Sequence, residues 1–486
     1  MALKAASIDL LVIGGGINGA SIARAAALAG KSVLLIEQGD LAQATSSAST
    51  KLMHGGLRYL EHYEFKLVRE ALAERAIMLR MAPHVVRPLE FRLPHDPSMR
   101  PWPIVRLGLW LYDLFAAGGD LPRSRALRVD DPVLAERGGR GFSYWDGWVD
   151  DARLVVLNAI DAANAGATIA THSRLMSATR EAGQWRARIA TRDGEGEVFA
   201  RAVVNAAGPW VDQVLTGRLG VTGRNRTCLV RGSHIVVRRC LDGDHAWLLQ
   251  QPDRRIVFAI PYLNDFTLIG TTDVAVETPD DDSISTEEID YLLAAANRYL
   301  RAPIDADSIV GHYAGIRPLV EDGTASASAV TRDYRLELDE GGAPLLSVFG
   351  GKITTARHLA EVAMKRLGID GRATRSRPLP GGDIDDLDAF LAEARQLWPF
   401  LEERTLRRMV HAYGTRIARV LDGACDIDDL GRDFGGGLRE REVDYLIQLE
   451  WALSAEDIVW RRTKLGYGMS HEQVAALDAY VKERCK

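Results

Sequence analysis

The chain of 486 residues has few cysteines and no excess of basic residues. Cys228, Cys240, Cys425 and Cys485 form no CxxC or metal-ligand spacing, so we expect isolated thiols of a reducing compartment rather than a disulfide framework or a metal site. The formal net charge of -6 gives no general attraction to nucleic acid. Any anionic ligand must therefore be bound by a local cluster of basic side chains.

Long apolar runs are also missing, because no segment approaches the roughly 20 uninterrupted apolar residues that cross a bilayer. The first seven residues, MALKAAS, are too short for a signal peptide. With 47% apolar and 26% charged residues, the composition predicts a soluble globular protein that is long enough for two or three domains. We find no internal repeat in the sequence.

The sequence does contain one dinucleotide-binding fingerprint, at residues 8–37 (IDLLVIGGGINGASIARAAALAGKSVLLIE). The pattern predicts a strand, a glycine turn, a helix and a second strand. Gly14, Gly16 and Gly19 have the spacing that permits a tight turn, close approach to a pyrophosphate and close helix packing. Glu37 ends the second strand, where a carboxylate accepts hydrogen bonds from ribose hydroxyls. Since this acid disfavours a 2′-phosphate, the fingerprint predicts NAD or FAD rather than NADP.

A hydroxyl-rich tract, ATSSAST at 44–50, follows this unit and leads into KLMHGGLRYLEH. Such tracts are often solvated loops or helix caps. Because this one comes directly after the ribose-binding strand, we expect it to line the cofactor, with its two following glycines letting the backbone pass close to a flat ring. The predicted cofactor contacts in this part of the chain are Thr45, Ser46, Ser47, Ser49, Gly55 and Gly56.

Two later segments are predicted to return to the cofactor. The strand at 202–206 runs into AAGPW, where small residues allow the chain to turn. At 345 another strand begins, followed by two glycines and a helix whose N-terminus offers free N–H groups and partial positive charge. This suits the anionic ring of a reduced flavin better than a nicotinamide. The predicted contacts are Ala207, Gly208, Gly351, Lys352, Thr354 and Thr355.

Other parts of the chain have different patterns. From about 226 to 273 the alternation predicts antiparallel strands that form a roof over the substrate. Beyond a boundary at 376–383 (SRPLPGGD) the chain is helical, with capping boxes beginning at Ser454 and Ser470. We expect Trp451 and Trp460 to be core residues of this helical part.

The segment 102–117 (WPIVRLGLWLYDLFAA) is apolar except for Arg106 and Asp113. It is too short to span a bilayer. Its aromatic residues are compatible with a position in a membrane interface, although such a stripe more often packs against its own protein. Both interpretations stay open on the sequence alone.

Taken together, GGGINGA, TSSASTKLMHGGLRYLEH, VDDARL, NAAGPW, GSHIVV, IGTTD, GIRPL, TRDY and VFGGKITT resemble the FAD-dependent glycerol-3-phosphate dehydrogenases of aerobic bacteria. The resemblance covers essentially the whole chain, including the late WRRTK stretch. It implies FAD as cofactor, oxidation of sn-glycerol 3-phosphate to dihydroxyacetone phosphate, and transfer of the electrons to ubiquinone or menaquinone. It also implies a homodimer bound peripherally to the cytoplasmic face of the inner membrane.

The predicted fold class is α/β, in three parts. A FAD-binding Rossmann domain of the glutathione-reductase type is expected to combine residues 1–80, 150–225 and 310–375. A substrate domain with an antiparallel β-sheet takes 81–149 and 226–309. A C-terminal α-helical domain takes 383–486.

The substrate that the resemblance implies is a dianion with a secondary alcohol, which requires bidentate cations and a base. We expect Arg317 in GIRPL and Arg332 in TRDY to clamp the phosphate, with Arg58 and Tyr59 in HGGLRY helping to fix the substrate. For any one of these arginines, a surface salt bridge is the alternative.

Oxidation requires the alcohol proton to leave as hydride passes to flavin N5. A neutral imidazole suits this step because its ordinary pKa lies near 6.5. His234 is the candidate base and His54 the reserve, although a lone histidine on a strand is more often a structural group. Lys352 is expected to polarise the developing oxyanion or to stabilise the reduced flavin.

Three other functions are compatible with the same sequence. An FAD-dependent amine or amino-acid oxidase shares the architecture, but its substrate would carry a carboxylate. A glycerol-3-phosphate oxidase would use oxygen directly. A flavin-binding sensor would show no turnover at all.

Overall fold

The structure is a computed structural model that describes residues 6–116, 119–135, 139–321 and 333–485, with all their side chains except those of Ala6, Arg58 and His62. The strands of these residues, in chain order, are β1 (Ala6–Ile13), β2 (Val33–Ile36), β3 (Leu52–Met53), β4 (Val86–Pro94), β5 (Arg125–Val129), β6 (Gly139–Val149), β7 (Thr168–Ala170), β8 (Arg174–Glu181), β9 (Gln184–Thr191), β10 (Gly194–Asn205), β11 (Thr227–Arg238), β12 (Ala246–Gln250), β13 (Ile256–Tyr262), β14 (Phe266–Gly270), β15 (Val274–Val276), β16 (Ile309–Val320), β17 (Arg335–Asp339), β18 (Leu345–Phe349), β19 (Asp433–Gly435) and β20 (Leu438–Arg439).

The α-helices of the same residues are α1 (Ile17–Leu28), α2 (Phe65–Met81), α3 (Trp102–Phe115), α4 (Asp151–Asn164), α5 (Val211–Gly217), α6 (Thr286–Asn297), α7 (Ala356–Arg366), α8 (Leu387–Leu397), α9 (Glu403–Tyr413), α10 (Ile417–Val420), α11 (Glu440–Glu450) and α12 (His471–Arg484). Short 3₁₀ turns at Thr45–Ser47, Leu57–His62 and Ile353–Thr355 lie beside the site described below. In the described ranges, no helix has the length and hydropathy needed to cross a bilayer.

The first sheet contains the dinucleotide fold. Its strand order is β17-β18-β10-β1-β2-β7, and β9 and β8 extend it from β10 as an antiparallel meander. β1 pairs in parallel with β2 and with β10, and β10 pairs in parallel with β18. The small residues of α1 let that helix pack closely against α4 and α7 in one buried apolar core. As a result, the carboxyl ends of the parallel strands meet at one edge, where dinucleotides bind in such folds.

The second sheet lies beside this edge and has ten strands. Its order is β15-β11-β14-β13-β12-β4-β6-β3, with β16 paired to β11 and β5 paired to β6. The pairing is antiparallel as predicted, except that β12 and β4 run in parallel. Residues 52–53 and 310–320, which the predicted division assigned to the FAD-binding part, belong to β3 and β16 of this second sheet. β16 therefore connects the roof with the cofactor edge.

The C-terminal helices α8–α12 enclose an apolar core of their own. Ser470 caps α12 in a capping box with Gln473, as predicted, and Ser454 exchanges the same pair of hydrogen bonds with Asp457. The prediction that Trp460 is a core residue is wrong. Its side chain is 40% exposed and its ring packs edge-on against Tyr467, with the centroids 4.9 Å apart.

Candidate active site

The glycine turn after β1 has the geometry that a dinucleotide requires. Gly14 has a φ of +109°, and a Cβ atom there would lie 2.5 Å from the carbonyl oxygen of Ala206. A Cβ atom at Gly19 would overlap the carbonyl oxygen of Gly14, which explains why α1 can begin so close to the strand. At Gly16 the nearest atom is the hydroxyl oxygen of Ser46, at 3.0 Å. The first and third glycines thus serve the turn, and the second gives room to the Ser46 hydroxyl at the N-terminus of α1.

Glu37 stands at the end of β2, where the sequence predicts the ribose-binding acid. Its Oε2 accepts a hydrogen bond from the backbone N–H of Gly15 at 2.6 Å, and its Oε1 accepts one from Gly39 at 2.9 Å. Each oxygen keeps further acceptor capacity for a ribose hydroxyl. Burial raises the pKa of Glu37 above its ordinary value, although both backbone N–H groups favour the ionised form.

The hydroxyl-rich tract holds its own loop against three neighbouring elements. Thr45 donates to the carbonyl of Ile316 in β16 at 2.6 Å, and the hydroxyl of Ser46 accepts from the N–H of Ile17 in α1 at 3.0 Å. Ser49 donates to Asp151 at 2.7 Å, and Ser47 donates within its turn. These contacts match the cap role of such residues. Thr45, Ser46 and Ser49 also line the cavity described below, so their contact with a cofactor stays a prediction.

A buried ion pair that sequence reasoning missed supports this loop. Lys51 lies 2.7 Å from Asp151, and Lys464 of the WRRTK stretch is 3.2 Å from Asp150. Burial opposes ionisation of Asp151, but Lys51 and Lys464 outweigh it and hold the pKa of that carboxyl below its ordinary value. The carboxylates belong to VDDARL, so the motif was noticed, but its partners lie too far away in the chain to be identified.

Gly55 and Gly56 were expected to make room for a flat ring. A Cβ atom at Gly55 would lie 2.6 Å from the side chain of Leu72 and 2.7 Å from the Tyr112 hydroxyl, and one at Gly56 would overlap the ring of Tyr59. Both glycines therefore make room for side chains of this protein. That packing explains their presence without any contact to a cofactor.

The two later cofactor segments reach the same edge of the first sheet. Ala206 donates its N–H to Ile13 at 2.9 Å, which brings Ala207 and Gly208 beside the glycine turn. Asn18 of α1 donates to the carbonyl of Gly350 at 3.1 Å, which fixes the turn before α7. The predicted cofactor contacts of this segment follow Gly350 in the chain. They are Gly351, Lys352, Thr354 and Thr355, and the two threonines are buried.

A cavity of about 450 Å³ lies between this edge and the second sheet. It brings together residues from the start of α1, the hydroxyl-rich tract, β11, β16 and the turn before α7. Among the predicted site residues, those lining the cavity are Thr45, Ser46, Ser49, Gly56, Tyr59, His234, Arg317, Gly351, Lys352 and Thr354. The reserve candidate His54 lines it as well.

The side chain of Lys352 lines this cavity. Its Nζ is buried, makes no hydrogen bond to any described residue, and lies 4.0 Å from the centroid of the Tyr59 ring. A buried ammonium without a hydrogen-bond partner is unfavourable, and the aromatic face replaces only part of its hydration. The site is therefore best stabilised when an anionic group enters it.

Arg317 is held in position by neighbours from the IGTTD motif. Its Nη1 donates to Asp273 at 2.5 Å and its Nη2 donates to the Thr271 hydroxyl at 3.0 Å. Asp273 was not predicted as a site residue. Because both of these bonds use Nη atoms, the guanidinium plane has a fixed orientation over the cavity, where planar recognition of a phosphate depends on orientation.

His234 faces the cavity from β11, opposite Gly270 and Tyr313 in the sheet register. Its ring stacks on Tyr313 with centroids 4.9 Å apart, and its Nε2 is 2.9 Å from the Thr50 hydroxyl. Nδ1 has no hydrogen-bond partner among the described residues. Burial, and then the charges of Arg317 and Lys51, lower the pKa of His234 well below its ordinary value. The imidazole is therefore neutral at neutral pH and can accept a proton.

Two predicted substrate contacts cannot be placed. Arg332 lies outside the described residues, and the side chain of Arg58 does too, although its backbone belongs to the turn Leu57–His62. Tyr59, in the same turn, lines the cavity. In the described ranges, no group of three His, Cys, Asp or Glu side chains is arranged to hold a metal ion.

The glycine turn and the acid at the end of β2 fit FAD, and so does Lys352 beside the cavity, whose Nζ has no hydrogen-bond partner in the described part of the chain. The fold and the site thus define a flavin-dependent oxidoreductase. A family model described as FAD dependent oxidoreductase matches residues 9–357, and one described as the C-terminal domain of alpha-glycerophosphate oxidase matches 372–483.

Curated relatives and a solved structure narrow this class. The chain is 49% identical over 486 residues to a glycerol-3-phosphate dehydrogenase of Pseudomonas aeruginosa, covering 98% of this chain and 95% of the relative. It is also 49% identical over 471 residues to a D-erythritol 1-phosphate dehydrogenase of Brucella abortus, covering 94% of each. The structure of the glycerol-3-phosphate dehydrogenase from Bacillus halodurans complexed with FAD matches 99% of this chain and 95% of its own with a TM-score of 0.74 and 26% identity.

The chain belongs to the family of FAD-dependent glycerol-3-phosphate dehydrogenases. The family, the α/β fold class and FAD as cofactor, all predicted from the sequence, are confirmed.

Proposed function

We propose that this enzyme oxidises sn-glycerol 3-phosphate to dihydroxyacetone phosphate and passes the electrons to ubiquinone or menaquinone. The observation that carries the proposal is that Lys352, whose buried Nζ has no hydrogen-bond partner among the residues that the structure describes, lines the same cavity as Arg317 and His234. An anionic substrate relieves this unpaired charge, whereas a neutral one does not. FAD, when bound, supplies the acceptor for the hydride.

Arg317 is the phosphate-binding group for which the structure gives an orientation. Asp273 and Thr271 hold its guanidinium over the cavity at hydrogen-bond distance. Asp273 also neutralises part of the charge of Arg317, so one guanidinium alone is a weak partner for a dianion. The proposal therefore keeps Arg58 and Arg332 as further phosphate ligands, as the family resemblance implies.

His234 takes the proton of the substrate alcohol. When its Nε2 carries the hydrogen and donates it to Thr50, the lone pair of Nδ1 is the one left to accept a proton. A base with such a low pKa is a weak proton acceptor. A phosphate bound at Arg317 offsets the charge that lowers the pKa, so substrate binding makes His234 a stronger base. Lys352 is positioned to stabilise negative charge that develops in the cavity.

The remaining parts of the proposal rest on the resemblance of the motifs. They are a homodimer, attachment to the inner face of the cell membrane, and a membrane quinone as electron acceptor. The sequence contains one dinucleotide fingerprint, which the FAD occupies in this proposal. A pyridine nucleotide that would accept the electrons from FAD therefore has no evident site of its own.

D-erythritol 1-phosphate is a second candidate substrate. A relative named for this substrate is as similar to the chain, at 49% identity, as one named for glycerol 3-phosphate. The two substrates share a phosphate and a secondary alcohol, so the same cations and base serve both. They differ by one carbon with its hydroxyl.

Anaerobic mixing of the holoenzyme with each compound, followed by flavin absorbance, tests the proposal. Glycerol 3-phosphate should bleach the flavin at a lower concentration than D-erythritol 1-phosphate, and glycine and L-proline should not bleach it. The reverse order assigns the longer substrate, and bleaching only by an amino acid overturns the proposal. In air without quinone, hydrogen peroxide in a 1:1 ratio to product would identify an oxidase instead.

A further inference from the structure

A second cavity, of about 390 Å³, lies where α4, the linker at 376–383 and α10 meet. We call it the linker cavity. None of the described residues that line it also lines the active-site cavity. Its volume lies within the range of about 300–1,000 Å³ that is typical of cavities for small molecules.

Hydrogen bonds on both sides hold the linker in place. On the side of the C-terminal helices, Thr415 donates its N–H to the carbonyl of Gly381 at 3.1 Å and its hydroxyl to Asp383 at 2.6 Å. On the side of the nucleotide fold, Arg24 of α1 donates to the carbonyl of Arg377 at 2.8 Å. The walls of the linker cavity are therefore fixed by the fold before any ligand enters.

The charge around the linker cavity is positive, although the whole chain has a formal net charge of -6. Three guanidiniums and two carboxylates line it: Arg377, Arg416, Arg419, Asp161 and Asp383. The buried Asp161 is already paired twice, with Arg24 at 2.7 Å and with Arg377 at 3.1 Å. It therefore contributes little to neutralising the other two arginines, and the linker cavity attracts anions.

Arg416 and Arg419 have donors to spare. Arg416 is only 8% exposed, and its Nε donates to the Tyr445 hydroxyl at 2.9 Å. Its two Nη nitrogens make no hydrogen bond to any residue that the structure describes. Arg419 is exposed and makes neither a hydrogen bond nor an ion pair within the same ranges. Two guanidiniums with unused N–H groups match the oxygens of a phosphate, which carries more charge and more acceptors than a carboxylate.

The rest of the lining suits hydroxyl groups. Asn164, at the end of α4, is exposed, and its side-chain amide has no hydrogen-bond partner in the described ranges. Asp383 accepts from Thr415 through Oδ1, so its Oδ2 keeps acceptor capacity. An amide and a carboxylate oxygen can together bind neighbouring hydroxyls of a sugar or polyol.

We propose that the linker cavity binds a small phosphate ester that carries several hydroxyl groups. Its phosphate lies on Arg416 and Arg419, and its hydroxyls lie on Asn164 and Asp383. Such a ligand contacts α4 and the C-terminal helices at the same time, so it stabilises the contact between these two parts of the chain. The proposal does not depend on which compound is oxidised at the flavin.

Titration calorimetry of the FAD-loaded enzyme with glucose 6-phosphate, glucose and inorganic phosphate tests the site. We expect glucose 6-phosphate to bind more tightly than inorganic phosphate, and glucose to give no measurable heat. Arg419→Met should weaken the binding of glucose 6-phosphate about tenfold or more, because it removes a charge-assisted contact with the phosphate. Since Arg419 is exposed and makes no contact that the fold requires, the variant should fold normally.

Two control variants locate the binding. Arg238→Met, at the end of β11, also removes an exposed arginine, but it lies in the second sheet and should bind like the wild type. Arg317→Met removes the guanidinium of the active-site cavity and should also keep the binding. Arg416→Lys is an independent second variant in the linker cavity. It retains the charge but not the planar fork, so we expect weaker binding.

Thermal unfolding gives a second readout. Saturating glucose 6-phosphate should raise the unfolding midpoint of the wild type, because a ligand that binds the folded state stabilises it, and this rise should be smaller in Arg419→Met. Equal affinities of Arg419→Met and wild type overturn the proposal. So does a loss of binding in Arg317→Met alone, which places the phosphate in the active-site cavity. Equal binding of glucose 6-phosphate and inorganic phosphate overturns the assignment to a hydroxylated ester.

Discussion

The hydroxyl of Tyr112 accepts a hydrogen bond from the backbone N–H of Gly55 at 2.8 Å and donates one to Asp146 at 2.7 Å. Tyr112 lies on the inner side of α3, and Gly55 lies in the loop that leads to the cavity. Arg75 completes the cluster through an ion pair with Asp146 at 2.5 Å. Helix α3 is thereby fastened to the loop that carries Gly56 and Tyr59.

Tyr112→Phe should destabilise the enzyme through this contact. It leaves the buried N–H of Gly55 without its acceptor, and we expect the free energy of unfolding to fall by about 1–3 kcal/mol. Denaturant unfolding of the holoenzyme measures the change. Tyr63→Phe makes the same chemical change at a side chain that is 79% exposed, and should have no measurable effect. Equal stabilities of the two variants would show that the hydrogen bond contributes nothing.

His234→Gln should slow flavin reduction by roughly 100-fold, the range expected when a general base is removed. Glutamine keeps a polar group near Thr50 but cannot accept the proton. Stopped-flow absorbance under anaerobic conditions gives the rate. His471→Gln, on the exposed N-terminal turn of α12, is the matched control and should reduce flavin at the wild-type rate. An unchanged rate in His234→Gln would remove this histidine from the mechanism.

The pH dependence should report the charge around His234. Because burial and Arg317 lower its pKa, the base stays neutral to well below pH 6.5, and its acid limb in kcat/KM lies below that value. Arg317→Met removes one of the lowering charges and leaves Asp273 in place, so the limb should move to higher pH. The substrate phosphate, whose pKa is about 6, also ionises in this range. It adds an acid limb to the pH profile that the wild type and the variant share. A limb at the same pH in both would contradict the assignment.

Lys352→Met should have opposite effects on the apoprotein and the holoenzyme. Without FAD, the substitution removes a buried ammonium that has no hydrogen-bond partner among the described residues, and the midpoint of thermal unfolding should rise by about one degree, as about 1 kcal/mol does for a chain of this length. With FAD bound, it removes a partner for the anionic ring and weakens binding. The rise in Tm caused by adding FAD should therefore shrink. An unchanged FAD-induced rise would indicate that Lys352 does not face the cofactor.

Arg462→Met should destabilise the contact between the C-terminal helices and the loop after β2. Arg462 is fully buried and forms two hydrogen bonds with Asp40, at 2.7 and 2.8 Å. Removing one partner of a buried ion pair costs about 3–5 kcal/mol of folding free energy. Because Asp40 keeps its ion pair with Arg461, we expect a cost at the lower end of this range. Arg395→Met, which breaks an exposed pair with Glu403, should cost no more than about 1 kcal/mol.

Acidification adds a second readout for that pair. Burial opposes ionisation of Asp40, but Arg462 and Arg461 outweigh it, so the pKa of Asp40 is lowered. The stabilisation is therefore present above the ordinary pKa of 3.8 and is lost as the pH falls through the lowered folded-state value. In Arg462→Met the folded-state pKa rises, so acid unfolding should begin at a higher pH than in the wild type.

The sequence predicted local features of this enzyme well and distant pairings poorly. The glycine turn and the acid of β2 follow from spacing, because their causes lie within a few residues. Asp40, Asp151 and Asp273 went unassigned because their partners are 44 to 422 residues away. Periodicity carries no information about which distant charge a carboxylate meets. Trp460 was misplaced for a similar reason, since an aromatic residue in a helical pattern does not indicate which side of the helix is exposed to solvent.

The contact of Arg461 and Arg462 with Asp40 also limits how the enzyme can be shortened. The proline- and glycine-rich linker at 376–383 invites a cut that would keep the whole dinucleotide fingerprint. A fragment ending there would remove both guanidinium partners of Asp40, which lies three positions beyond Glu37. The loop after β2 in the nucleotide cleft thus depends on the helical tail for its buried ion pairs.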